Sequence, residues 1–115
     1  MHAQLTYFDG PRSPELIAAS GRAGRERIEP AIFARTDLRD DMVAMYELQR
    51  PDGGQIIVVI VEHEESLDKA VEVIMGTELL PGEDPALLHD PDRVERFEVV
   101  RTLGAHMSAT PAYVG

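Results

Sequence analysis

Three side chains are placed by type and neighbourhood to do chemistry: Tyr46, Glu47 and His89. Tyr46 stands in the apolar run MVAMYEL, where a phenolic hydroxyl can orient a ligand hydroxyl within an otherwise apolar wall. The plainer reading is a core tyrosine with its hydroxyl satisfied. Glu47 is the odd residue of that run. If the run is a strand, Glu47 faces away from Tyr46, and a buried carboxylate there needs a partner or a raised pKa. Arg96 or Arg101, on a last strand, would supply a cross-strand ion pair. His89 is isolated in a proline-rich stretch and His106 in the tail, each able to approach a pocket mouth. His2 reads as an edge residue at the start of the first strand. Glu62-His63-Glu64 has no second histidine nearby and reads as a solvated loop rather than a metal cluster.

Several kinds of chemistry are ruled out by what the chain lacks. With no cysteine there is no thiolate nucleophile, no disulfide framework and no Cys-ligated zinc or iron–sulfur centre. No Ser-His-Asp constellation, GxxxxGK[ST] loop or GxGxxG turn occurs; Gly21-x-x-Gly24 is not a phosphate loop. No cofactor and no metal are expected. The 11 basic and 21 acidic residues give a net charge of -10, a poor match to a phosphate backbone, so no nucleic acid is expected. The acid excess lies after residue 50 (13 acidic against 4 basic) and reads as solvated loops and helix faces. The longest apolar run, Ile56 to Val61, is far short of a membrane helix, and residues 1–20 lack a secretory pattern. A cytoplasmic protein without membrane partners is the expectation.

The elements that must carry these residues follow from pattern. At 115 residues and 43% hydrophobic, the chain has one core. A single domain is expected over 1–103, with a tail over 104–115 that is disordered or packed on a partner. Met1 to Phe8 reads as a strand closed by Asp9-Gly10-Pro11. Ser13-Pro14-Glu15 is a helix start, followed by a stripe on one side of Ile17, Ser20, Gly21, Gly24, Ile28 and Ala31-Ile32. The two glycines either let the backbone sit close to a sheet or break the helix near Gly21, and Pro30 should kink or end it at about Glu29. Asp37 to Asp41 reads as a polar connection. Residues 42–48 and 55–61 form a hairpin about Pro51-Asp52-Gly53-Gly54. Ser66 is the expected N-cap of a helix bearing Leu67, Ala70, Val71, Ile74 and Met75. A loop over 81–92 leads to a last strand, Val94 to Leu103. The order β-α-β-β-α-β is the ferredoxin-like split βαβ arrangement: an α+β fold with a four-stranded antiparallel sheet and two helices on one face.

Two helices cover one face of such a sheet, yet the hairpin strands are apolar on both. In the second arm, Ile56, Val58 and Ile60 oppose Ile57, Val59 and Val61. An uncovered apolar face of that size is rare on a monomer, and a second copy is the common solution. A homodimer is therefore expected, with an interface of Val43, Met45, Ile57, Val59, Val61 and Val99. Pattern alone does not say which face is the interface.

The run MVAMYELQRPDGGQIIVVIVEHEESLDKAVEVI, with the closing VERFEVV, resembles the dimeric α/β-barrel superfamily, and within it the antibiotic-biosynthesis-monooxygenase-like proteins. The resemblance spans roughly residues 2–102. It implies two ferredoxin-like sheets packed face to face with the helices outside. It also implies a cofactor-independent monooxygenase-like activity on a small aromatic or quinone-like compound. The haem-degrading branch of that superfamily uses an Asn, a His and a Trp; this chain has neither Asn nor Trp. The alternative is a non-catalytic homodimer of the same fold that binds a small apolar or aromatic ligand or serves structurally.

Overall fold

The structure is a computed structural model that describes residues 1–104. Residues 105–115, and with them His106 and nearly all of the expected tail, lie outside the described residues. Four strands, β1 (His2–Phe8), β2 (Met42–Gln49), β3 (Gln55–Val61) and β4 (Arg93–Glu98), form one antiparallel sheet ordered β2-β3-β1-β4. Both β1 and β2 run antiparallel to β3, so they are parallel to each other with β3 inserted between them. β4 ends at Glu98, five residues short of the Leu103 expected for the last strand.

Between β1 and β2 the chain makes more helix than the pattern called for. Ser13 caps α1 (Pro14–Arg22), its Oγ accepting from the Leu16 N–H at 3.2 Å. The helix does not break at Gly21. It widens into a π-helical segment, Ala23–Ile28, and resumes as α2 (Glu29–Phe33). Glu29 N–H donates to the Gly24 carbonyl, five residues back. Pro30 has no N–H to give, and the wider turn just before it lets the helix pass a residue that usually ends it. Nor do the glycines seat the helix on the sheet. A Cβ at Gly21 or Gly24 would meet only the side chains of Arg25 and Glu29. The expected connection at Asp37 to Asp41 is a further helix, α3 (Thr36–Asp41), whose Leu38 is 3% exposed. One buried leucine among polar residues is enough to fix a short helix and too little to reveal its period.

The hairpin turn is as expected. Gly53 has φ of 91°, Asp52 Oδ1 accepts from the Gly54 N–H at 2.8 Å, and Arg50 N–H donates to the Gly54 carbonyl at 2.7 Å. After β3 comes α4 (Glu65–Met75), which stops at Gly76, so Leu79 and Leu80 belong to the loop. Leu67 is its deepest residue at 2% exposure, while Val71 and Met75 from the expected stripe are exposed. A single 3-10 turn, Pro85–Leu87, leads back to β4.

Directly paired residues share a face, so the register sorts the sheet. Gln4, Thr6, Phe8, Gln55, Val59, Val61 and Arg96 project one way. On that side Arg96 reaches Asp68 of α4 at 2.8 Å, and Arg12, on the loop into α1, donates to Gln55 and to Ser20 of α1. The helices cover this face. Leu5, Tyr7, Ile56, Val58, Ile60, Tyr46, Leu48 and Phe97 project the other way. Leu5, Ile56 and Val58 sit in the two central strands and are still only half-buried. Among the described residues, the segment found against this face is the chain after β4, at Thr102 and Leu103.

Candidate functional site

The strand period carries Tyr46 and Glu47 to opposite faces of β2. Tyr46, opposite Val58, lies on the open face, 41% exposed. Glu47, opposite Ile57, lies on the helix side at an exposed edge. The expected ion pair with Arg96 does not form. β2 and β4 are opposite edges of the sheet, and Arg96 is held by Asp68 and by Gln4 Oε1 at 3.0 Å. His89 is exposed in the loop before β4, at the far edge from Tyr46. The three candidates are therefore not brought together.

Tyr46 does line a groove. Met1, Val43, Ala44, Ile60, Thr102 and Leu103 join it around a space of about 260 Å³ at one end of the open face. A register irregularity between Met42 and Ala44 turns Val43 toward that space, and the chain after β4 supplies its other wall. The lining is apolar apart from the tyrosine and threonine hydroxyls. Such a wall suits a small apolar or aromatic molecule.

The residues expected at an interface divide between the faces. Ile57, Val59 and Val61 belong to the helix-covered face, and Val61, at 4% exposed, is core. Ile57 and Val59 are half-buried, as Ile56 and Val58 are on the other face. Met45 shares that side but stays exposed at the edge, and Val43 lies by the groove. Val99 follows β4, its N–H donating to the Met1 carbonyl at 2.9 Å. The uncovered surface is therefore centred on Val58 and its neighbours, the alternate set of the same strand. Both sets are equally apolar, which is why the pattern could not separate them.

A cluster that pattern reading missed closes the junction of α3, β3 and α4. Asp41 Oδ1 lies 2.6 Å from His63 Nδ1, while its Oδ2 accepts from the His63 N–H at 3.0 Å and from Ser66 Oγ at 2.5 Å. Ser66 is therefore not the helix cap; it lies inside α4 and donates its hydroxyl hydrogen bond to Asp41. Burial works to raise the Asp41 pKa. The hydrogen bonds from Ser66 and from the His63 ring and backbone outweigh it and bring the pKa from 3.8 down to about 2. The same contact raises the His63 pKa. Serine and histidine both point at the carboxylate rather than at each other, so nothing takes the serine proton and no nucleophile is made. The cluster is a clamp. Its contacts span more than twenty residues of sequence, which no local pattern encodes. His2, near the same end, lies 3.6 Å from Glu64.

A second cleft, about 400 Å³, lies between α1 and residues 82–88, floored by Ala18, Ala19, Leu87 and Leu88. Its charged groups are engaged only in part: the buried Oε2 of Glu83 has no hydrogen-bond partner among the described residues. Glu83 Oε1 accepts from Leu80 N–H at 2.7 Å and from Arg27 at 2.9 Å, and Arg22 donates to the Pro81 carbonyl and pairs with Glu26. The Leu80 N–H foremost, with Arg27 behind it, holds the Glu83 pKa below its ordinary value. Among the described residues no group of three or more His, Asp or Glu side chains is arranged to hold a metal ion. No helix among them is long and apolar enough to cross a membrane.

No protein-family model matches the chain, and no curated protein matches it at a significant level.

Proposed function

We propose that the chain works as a cytoplasmic homodimer of ferredoxin-like protomers, stacked through their open sheet faces, that holds a small apolar or aromatic compound in the groove beside Tyr46. The order β2-β3-β1-β4 with β1 and β2 parallel supports the split βαβ assignment. One observation carries the dimer: among the described residues, Leu5, Ile56 and Val58, central in the sheet, stay half-buried on the face opposite the one that Arg96 and Gln55 tie to the helix side. The open face measures on the order of 19 by 23 Å. That flat area, about 440 Å², is a little over half the ~800 Å² per partner of a standard interface. A stacked copy would roof the groove and exclude water from its contents.

Binding without turnover is the reading the side chains favour. Tyr46, Glu47 and His89 are apart, and the Asp41 cluster makes no nucleophile. Light scattering should give about twice 12.7 kDa at low micromolar concentration. Titration with hydroxynaphthoquinones should quench or shift their absorbance without oxygen uptake. A monomer would overturn the dimer, and oxygen consumption above buffer would replace binding with the monooxygenase-like reading.

A further inference from the structure

Among the described residues, one buried side-chain polar atom is left without a hydrogen-bond partner: Oε2 of Glu83. The Glu83 side chain is 3% exposed, and the residue lines the cleft beside α1. Its other oxygen, Oε1, accepts from the Leu80 N–H at 2.7 Å and from Arg27 Nε at 2.9 Å. Neither Leu80 nor Arg27 lines the cleft, so Oε1 is turned away from it and Oε2 is the oxygen left toward it. The same two donors hold the Glu83 carboxyl below its ordinary pKa, so near neutrality it is ionised and Oε2 can only accept. A buried carboxylate oxygen without a donor is costly. A donor entering the cleft relieves that cost.

The rest of the lining says which donor. Glu15 and Asp84 add two carboxylates, against one guanidinium, Arg22. That cation already donates to the Pro81 carbonyl and pairs with Glu26 at 3.3 Å. The local field therefore favours a positive charge. The floor of Ala18, Ala19, Leu87 and Leu88 is apolar, and among the described residues no group of three or more His, Asp or Glu side chains is arranged for a metal ion. An ammonium group on a short apolar or aromatic body matches both parts. We propose that this cleft is a second ligand site, which takes a small primary amine as its ammonium ion, the N–H donating to Glu83 Oε2 and the body lying on the alanines and leucines. Its volume, about 400 Å³, is at the small end of the range for small-molecule sites, about 300–1,000 Å³. It shares no lining residue with the groove beside Tyr46 and does not depend on the dimer.

The test is an NMR titration of the full chain with 2-phenylethylamine, set against 3-phenylpropionate, which carries the opposite charge on a similar body. At neutral pH and about 0.15 M salt, where long-range attraction to an acidic protein is screened, the amine should give saturable shifts at the amides of Ala18, Ala19 and residues 82–88. The carboxylate should bind at least roughly tenfold more weakly. Glu83→Gln keeps an oxygen for Leu80 and Arg27 and sets an amide donor where Oε2 stood, so the ammonium meets a donor instead of an acceptor. It should weaken the amine by roughly tenfold or more. Ala18→Leu fills part of the cleft and leaves Glu83 in place. It should weaken the amine by roughly fivefold or more, with a melting point near the wild type's. If Glu83→Gln does not fold, Ala18→Leu decides alone. Equal binding of amine and carboxylate, shifts that fail to saturate or fall elsewhere, or an amine affinity unchanged in Ala18→Leu or in folded Glu83→Gln would overturn the proposal.

Discussion

Adjacent residues of β3 allow a sharp comparison, because Val58 and Val59 differ in little but the face they occupy. Val58→Asp puts a carboxylate in the middle of the open face, and Val59→Asp puts one under the helices. The cost of burying either is bounded. At pH 7 the group can always take up a proton instead, at about 1.4 kcal/mol for each of the roughly three pH units above its ordinary pKa, or about 4 kcal/mol. Losing the valine contact adds about 1.5 kcal/mol. A dimer contains the site twice, giving a ceiling near 11 kcal/mol. If half the cost survives local adjustment, about 5.5 kcal/mol remains, a weakening of roughly 10⁴ in Kd. Val58→Asp should therefore be monomeric across the micromolar range with its far-ultraviolet circular dichroism retained, and acidification to about pH 4 should restore part of the assembly. Val59→Asp sets a similar per-site cost against a total stability of about 5–15 kcal/mol. Its melting point should fall by roughly 10 °C or more. Light scattering and thermal melts on the two variants decide the matter. If Val58→Asp keeps the wild-type mass, or if it unfolds the chain while Val59→Asp merely splits the assembly, the assignment of faces is wrong.

Asp41 contributes stability that is present above its ordinary pKa of 3.8 and is lost as pH falls through about 2. A shift of that size corresponds to about 2 kcal/mol, so Asp41→Asn should destabilise by that order near neutrality and flatten the acid limb of the melting profile between about pH 4 and 2. His63 has the opposite sign. Its raised pKa stabilises below the ordinary value of 6.5, and the gain fades as pH rises through the shifted one. In Asp41→Asn an NMR titration should find the His63 pKa returned toward 6.5. Gly53→Ala should cost at least about 1–2 kcal/mol, since φ is 91° and the new Cβ would stand 2.5 Å from the Arg12 carbonyl oxygen. Gly76→Ala, whose Cβ would meet nothing closer than 3.5 Å, is the control, with a melting point near the wild type's.

What could be read in advance depended on how local the cause was. The hairpin follows from Asp52-Gly53-Gly54 between two apolar runs, and the Ser13 cap from a hydroxyl before a proline. Both are decided within five residues. The passage of Pro30 was not legible, because it needs a π turn whose defining bond, Glu29 to Gly24, competes closely with ordinary helix. The exposed face of β3 was not legible either. Val58 and Val59 are the same residue type, and only the crossing of α1 and α4 over one side tells them apart. Of the candidate residues, Tyr46 stood out by its apolar surroundings, and its place opposite Val58 follows from the strand period. The Arg96 partner assumed for Glu47 failed on strand order, which local pattern does not contain. Ser66 carried a true polar signal given a wrong role, since its hydrogen bond goes to Asp41 rather than to the start of its own helix.

The strand order also dictates when the molecule can form. β1 leaves the ribosome first, yet both of its neighbours come late: His2 pairs with Val61 on one side and with Glu98 on the other. Only the β2–β3 hairpin can close from nearby residues. During synthesis β1 must wait for β3 on one side and for β4, made last, on the other. The chain is thus most exposed to misassociation while half made, through the apolar residues 42–61.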